Sequence, residues 1–486
     1  MKQLLPLALR NLMRNHQRTL TTLTLALRNL MRNRQRSMTT LLAMVVGVGA
    51  ILIFGGYSRD ITNEMQTDFV QRSGHLQIQR SGYFLYGSGN SAAYGIPGYE
   101  KLIAALKSDP VLKQMVVVIT PTLQLGGIAG NFNAGVSRTV LVQGMVAQDE
   151  AQLRKWNDYG LPLIARPLPL NGSGPDSIVI GEGVARVLQL CKELKVSKCD
   201  AQHQAADTAA NGAPPADAPP DLAALSALEA PPARINKGTQ IEVLATNVHG
   251  APNVGSFTVI KAEQLGVKEL DDVHVAMHLP SAQRLVYGRD APQVTAVLIQ
   301  LRHTDQIPAA RARIQELLSK DFKGADLDIL DFDTLNPYYG QTNRMFSALF
   351  GFVFVLIGAI VVFVVSNTMS MTIYERTVEI GTLRAIGQRR SGIESLFITE
   401  GALLGIIGSA LGVLIALLIS GAINFSGLTW IPPSRIDPVP LTVRVWGEWP
   451  MIALAFFGLT VVAALSAWVP ARSAAKQDIV DALRHV

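Results

Sequence analysis

The dipeptide Gly-Lys does not occur in this sequence. With it goes any G-x-x-x-x-G-K-[ST] loop, whose backbone N–H groups and Lys would hold nucleotide phosphates. H-E-x-x-H and G-x-S-x-G are missing as well, so neither a helical zinc site nor a serine-nucleophile elbow is encoded. No catalytic residue and no metal site emerge. Charge is scarce, at 16% of 486 residues, and mean hydropathy is positive at +0.26. Soluble domains usually fall below zero, so apolar residues must be concentrated somewhere.

They are concentrated in four runs that lack charge altogether: 38–57, 345–369, 401–425 and 450–470. Each is long enough to cross a hydrocarbon core of about 30 Å as a helix. Acid is missing in one further place. Residues 1–37 carry Lys2, Arg10, Arg14, Arg18, Arg28, Arg32, Arg34 and Arg36 but neither Asp nor Glu. Positive charge beside a span keeps that end in the cytoplasm. Four spans then return the C-terminus to the same side. The expected order is a basic N-terminal helix (1–37), span one (38–57), a large outer segment (58–344) and span two (345–369). A cytoplasmic loop (370–397), span three (398–425), a short outer loop (426–449), span four (450–470) and a cytoplasmic tail (471–486) complete it. Acids slightly outnumber bases in the outer segment, so the excess positive charge is all inside. The first run is too long, and its basic leader too extended, for a cleavable signal peptide, and it reads as a signal anchor.

LALRNLMRNHQRTLTT (7–22) recurs as LALRNLMRNRQRSMTT (25–40), an offset of 18 residues. That is five turns at 3.6 residues per turn, so a continuous helix would keep both copies in phase. A basic amphipathic helix on anionic lipids fits this pattern, and so does a duplication of which one copy suffices. Aromatics are absent here, and nucleic acid is not indicated.

The outer segment alternates strand and helix signals. Strands are expected at 75–79, 116–120, 139–145, 240–247, 256–264, 273–279, 295–301 and 326–332. A strand running into a helix is expected at 178–190, and helices from 281 and over 308–320. The reading is an α+β domain, built as two subdomains with one inserted in the other. Residues 200–234, rich in Ala and Pro, read as a disordered insertion. Cys191 and Cys199 are the two cysteines, and in an oxidising compartment this pair suggests a local disulfide at the base of the insertion. His274 and His278 have the H-x3-H spacing of metal ligands on a helix, but lie in a strand pattern with no third ligand.

The loop between spans two and three reads YERTVEIGTLRAIGQRR (374–390). On a helix, Glu375, Arg376, Glu379 and Arg384 would make a charged surface beside Ile380, Leu383 and Ile386. A docking helix and a solvated positive-inside loop fit equally well. Gly381 and Gly387 would allow close approach or mark helix ends. In span three, Gly401, Gly405, Gly408 and Gly412 follow one face, a spacing that permits close helix packing within one chain or across a dimer. Glu400 borders that span. Arg390 is a conceivable partner, and a solvated position at the interface is the simpler reading.

NTMSMTIYERTVEIGTLRAIGQRRSGI (367–393) resembles the loop of the FtsX-like permeases. These are membrane subunits of the ABC transporter class that includes the MacB macrolide exporter and the LolC and LolE lipoprotein-release subunits. VPARSAAKQDIVDALR (469–484) is similar to the family's closing motif, and 25–50 to its first helix and span. SGHLQIQRSGYF (73–84), IVIGEGVARVLQL and DDVHVAMHLPSAQRLV resemble the family's outer core. WIPPSRIDP (430–438) resembles its Pro-rich outer loop.

The resemblance implies a four-span α-helical membrane domain with a large α+β periplasmic core, in the bacterial inner membrane. It implies that Glu375, Arg376, Glu379, Ile380, Gly381, Arg384 and Gly387 form a coupling helix seated in a cytoplasmic P-loop ATPase. ATP and Mg would be bound by that separate subunit, and no cofactor by this chain. A second permease, identical or homologous, membrane lipids, and a periplasmic adaptor with an outer-membrane channel are the further partners implied. The expected function is export or release of a hydrophobic or lipidated cargo (lipoprotein, lipid, peptide or drug) by mechanotransmission. The alternative is an FtsX-like regulatory module that activates a cell-wall hydrolase or another periplasmic partner.

Overall fold

The computed structural model describes residues 24, 26, 28, 29, 32, 34–87, 89–161, 168–196, 238–431 and 438–478. The whole of the first repeat copy, the 200–234 insertion, most of the Pro-rich 430–438 loop and the end of the C-terminal tail lie outside these residues. The chain forms two compact units.

The first unit comprises residues 1–63, 341–430 and 440–486. Its long helices are α1 (Arg34–Ser73), α2 (Pro337–Glu375), α4 (Arg390–Ser426) and α5 (Trp449–Lys476), and the short α3 (Thr377–Ala385) lies between α2 and α4. All four long helices are long and apolar enough to cross a membrane. All four outrun their apolar runs, α1 by the most. At 1.5 Å per residue, the 40 residues of α1 extend about 60 Å, roughly twice the hydrocarbon thickness. Hydropathy sees only the apolar half, because the polar residues from Ser58 onward still form helix.

Small residues set the packing. Ala455, Leu459, Ala463, Ala467 and Ala471 recur every four residues along α5, and all are fully buried. A Cβ added to Gly401 would lie 2.6 Å from Ala467 Cβ, and one on Gly405 would lie 3.1 Å from Ala463 Cβ. The next two glycines face a different helix. A Cβ on Gly408 would lie 2.5 Å from Met44 Cβ, and one on Gly412 would lie 2.6 Å from Val48 Cβ, both on α1. The stripe thus brings two helices against α4 within one chain. Meanwhile Phe352, Val355 and Phe363 on α2, Leu418 and Phe425 on α4, and Phe457 and Leu465 on α5 remain exposed, which suits a helix bundle surrounded by lipid.

The second unit runs from Glu64 to Gly340, with Ile431–Val439. Its main strands are β1 (Leu76–Arg80), β2 (Val116–Asn131), β3 (Val136–Met145), β4 (Ser177–Gly181) and β5 (Gln240–Thr246), followed by β6 (Pro252–Glu263), β7 (His274–His278), β8 (Ala296–Leu301) and β9 (Leu327–Asp331). They form one sheet in the order β9-β1-β8-β2-β3-β7-β4-β6-β5. β5 also pairs with β2, so β2, β3, β7, β4, β6 and β5 close into a ring. The two expected subdomains are not seen. One hydrogen-bonded sheet joins all nine strands, because the 16-residue β2 reaches β8 with its first half and both ring neighbours with its second.

Alternate residues on these strands build the core: Leu123 and Leu125, Val140 and Val142, Ile178 and Ile180, Ile241 and Val243, Phe257 and Val259, Val275 and Met277. The helix Leu279–Tyr287 packs on it through Ala282, Leu285 and Val286. His274 and His278 point to the other side of β7. Four residues apart on a strand, they are about 13 Å from each other, too far to share a metal. His278 instead lies 3.0 Å from Ser173 Oγ. Among the described residues, no group of three His, Cys, Asp or Glu side chains could hold a metal ion.

Candidate coupling site

The quoted loop becomes a short helix with defined ends. α2 stops at Glu375, and Arg376 departs from helical geometry before α3 begins. At the other end, Gly387 N–H donates to the Arg384 carbonyl and Gln388 N–H to the Leu383 carbonyl, both at 3.0 Å. This is a Schellman motif, and it needs the left-handed φ of +100° at Gly387. Gly387 therefore marks a helix end. Arg389 is extended and starts α4, its carbonyl accepting from Gly392 N–H at 2.9 Å.

The helix has two unlike faces. Thr377, Ile380 and Gly381 are buried, while Val378, Leu383 and Ile386 are exposed, Ile386 at 80%. Tyr374, just before α3, is exposed as well. The outward surface mixes these apolar side chains with Glu379 and Thr382, both exposed, and is followed by Gln388, Arg389 and Arg390, also exposed.

Arg376 does not belong to that surface, contrary to the sequence reading. It is 7% exposed, and its Nη1 lies 3.3 Å from Glu400 Oε1. Glu400 is not solvated, and its partner is not Arg390. It is 2% exposed and also accepts from Asn29 Nδ2 at 2.6 Å. Arg376 Nη2 donates to the Asn29 carbonyl at 3.3 Å. A buried carboxylate this close to a guanidinium and an amide is satisfied, as burial of charge requires. The pair ties the α2–α3 turn to the start of span three.

Glu375, Glu379 and Arg384 also have partners inside the chain. Glu379 Oε1 lies 2.6 Å from Arg32 Nη2, Glu375 pairs with Arg36, and Arg384 donates to the Gln477 carbonyl. Asn29, Arg32 and Arg36 were read only as parts of a basic repeat. Their spacing of three and four, on one helix face, was the signal that they share a target.

Further buried ionisable groups lie in the second unit. His75 accepts from Leu301 N–H through Nδ1 at 3.0 Å and packs edge-on to Trp156. Burial lowers its pKa to about 4 against the pull of Asp158. Burial also lowers His274 to about 4, with Arg72 and Arg154 adding to it. Burial raises Glu150 to about 7, opposed by Arg154, whose Nη1 lies 2.6 Å from Glu263. Burial likewise raises Asp271 to about 6. Their partners are neighbouring backbone and side-chain groups of the same unit, and they read as structural. Cys191 opens a short helix and is disulfide-bonded, while Cys199 falls outside the described residues.

Residues 351–479 match the family described as FtsX-like permease C-terminal, and residues 37–196 match the MacB-like periplasmic core domain. The chain carries an FtsX-like permease domain and a MacB-like periplasmic core. With four candidate spans, it is similar in these two regions to membrane permeases of the MacB/FtsX type. It is 31% identical over 195 residues to the macrolide export ATP-binding/permease protein MacB of Escherichia coli, covering 40% of this chain and 28% of that one. It is 26% identical over 230 residues to an uncharacterized ABC transporter permease of Methanocaldococcus jannaschii, covering 46% of this chain and 53% of that one. The chain thus spans between about a quarter and a half of the length of these relatives. The crystal structure of the periplasmic region of MacB from Actinobacillus actinomycetemcomitans aligns at 15% identity over 55% of this chain and 92% of that one. Its TM-score of 0.28 is too low to bear on the fold.

Proposed function

We propose that this permease works in an ABC transporter, with α3 as the helix through which a cytoplasmic P-loop ATPase drives it. The observation that carries the reading is the outward face of α3. Val378, Leu383 and Ile386 are exposed along a short helix whose start is tied down by the buried Arg376–Glu400 pair. An exposed apolar patch on a rigidly held helix, rimmed by charge, suits a protein groove better than water. In this reading the N-terminus, α3 and the C-terminus face the cytoplasm. The second unit lies on the periplasmic side of the inner membrane. ATP binding draws two ATPases together, the two α3 helices of a permease pair shift, and the periplasmic units move a hydrophobic or lipidated cargo.

Ile386→Asp and Val378→Asp test this. Both place a carboxylate in the apolar contact and leave the inner face untouched. The tagged chain, purified from its native membrane, should carry a P-loop ATPase, and each variant should lose it while still inserting. Retention of the ATPase by both variants would refute α3 as the docking helix.

A further inference from the structure

Three carboxylates around α3 are each met by a side chain from the segment before span one. Asn29 Nδ2 donates to Glu400 on α4 at 2.6 Å, Arg32 meets Glu379 on α3 at 2.6 Å, and Arg36 pairs with Glu375 at the end of α2. The three donors sit at i, i+3 and i+7, and the described residues from Thr24 to Arg36 are helical. They therefore share one face. The contact is returned, since Arg376 Nη2 donates to the Asn29 carbonyl. It continues into the spans, where Thr40 Oγ1 donates to Thr368 Oγ1 at 3.0 Å. One helical face thus touches every element of the coupling region: the end of α2, α3 and the start of α4.

We propose that Asn29, Arg32 and Arg36 form a clamp that makes the coupling helix and the segment leading into span one move as one body. The proposal rests on the reading of α3 as the coupling helix. A push on α3 would then reach α1 directly, in addition to the routes through α2 and α4. The three contacts are unequal. Arg32 with Glu379 and Arg36 with Glu375 are half-exposed pairs, weak in themselves and useful mainly for register. Asn29 donates to a buried carboxylate, a charge-assisted bond of the stronger kind. Asn29 is the anchor, and the two arginines are positioning residues that set which turn of the helix it belongs to.

The clamp also separates the two repeat copies. Copy 25–40 supplies all three contacts. Copy 7–22 offers Asn11, Arg14 and Arg18 at the same spacing, but these lie outside the described residues. A chain lacking residues 7–24 keeps the clamp whole and should couple as the parent does.

Two measurements on the full chain in its native membrane decide the matter. The first reads geometry alone. Arg32→Cys with Glu379→Cys should be joined within one chain by a short bismaleimide, whereas Arg28→Cys with Glu379→Cys should react far less. Equal reaction, or none for the first pair, overturns the clamp. The second reads transmission, as permease-dependent ATP turnover of the co-purified complex. Asn29→Asp sets a second carboxylate against Glu400 and should lower that turnover about tenfold, the effect of losing one charge-assisted hydrogen bond. Arg36→Glu should lower it too, and Arg36→Glu with Glu375→Arg should restore it, which a merely destabilised chain would not do. Unchanged turnover in Asn29→Asp and Arg36→Glu overturns transmission even if the cross-link forms. If no ATPase accompanies the parent chain, the coupling reading falls and transmission with it, while the cross-link still decides the geometry.

Discussion

Removing Arg376 should be the most damaging single truncation in the coupling region. Its side chain and that of Glu400 are 8% and 3% exposed, so neither charge has water to fall back on. Arg376→Met keeps the apolar stem and deletes the guanidinium, leaving Glu400 with Asn29 as its remaining partner. Breaking a buried pair in this way typically destabilises by about 3–5 kcal/mol, mostly the desolvation of the orphaned charge. For a unit of roughly 200 residues, at about 2–4 °C per kcal/mol, the melting temperature should fall by about 10 °C. Tryptophan fluorescence of the detergent-purified chain is a suitable readout, because Trp430, Trp446, Trp449 and Trp468 all lie in this unit. Arg376→Met with Glu400→Leu should recover most of the loss, since replacing both partners with apolar groups is often neutral. Arg32→Ala breaks a half-exposed pair and should cost about 0–1 kcal/mol. Equal shifts for Arg376→Met and Arg32→Ala would refute the claim that burial separates these two pairs.

Three further outcomes follow from the same reasoning. Gly408→Ala drives a methyl into Met44 on α1 and should destabilise by about 1–3 kcal/mol. Gly421→Ala, further along α4, meets open space and should be neutral or slightly stabilising in the same melt. In the second unit, pH acts in two opposing directions. The depressed pKa values of His75 and His274 each give stability that is complete above about pH 6.5 and is lost as the pH falls towards 4, about 3 kcal/mol apiece. The raised pKa values of Glu150 and Asp271 work the other way, restoring stability as the pH falls from about 7 and about 6. The parent should therefore be nearly flat in denaturant unfolding between pH 6.5 and 4.5. Glu150→Gln, stripped of its compensating share, should lose about 2 kcal/mol more than the parent over that window. A parallel pH profile in the variant would show that Glu150 is not buried as described.

The spans were legible because an uncharged run of this length has few other uses. Their true lengths were not, since Ser58–Ser73 is polar and continues α1 without any signal that hydropathy detects. The strands with clean alternation, such as β5 (Gln240–Thr246) and β7 (His274–His278), lie where the pattern puts them. β2 was seen only at its start. Pro121, Gly126, Gly127 and Gly130 read as breakers, yet pairing on both edges carries the strand through them. In the loop between spans two and three the short helix was legible and the orientation of Arg376 was not. Its direction depends on Glu400, 24 residues away, and on Asn29, 347 residues away. Periodicity works within one helix and has no means of naming a partner across the chain. The glycine stripe shows the same limit: its spacing predicted close packing, but only the fold reveals that two glycines serve α5 and two serve α1.

The most direct test of the account is native mass spectrometry of the tagged full chain, purified in mild detergent from its native membrane. The account predicts two permease chains with two copies of a P-loop ATPase, the ATPases being lost on Ile386→Asp. A chain that emerges without any ATPase, alone or bound only to a periplasmic hydrolase, would contradict it.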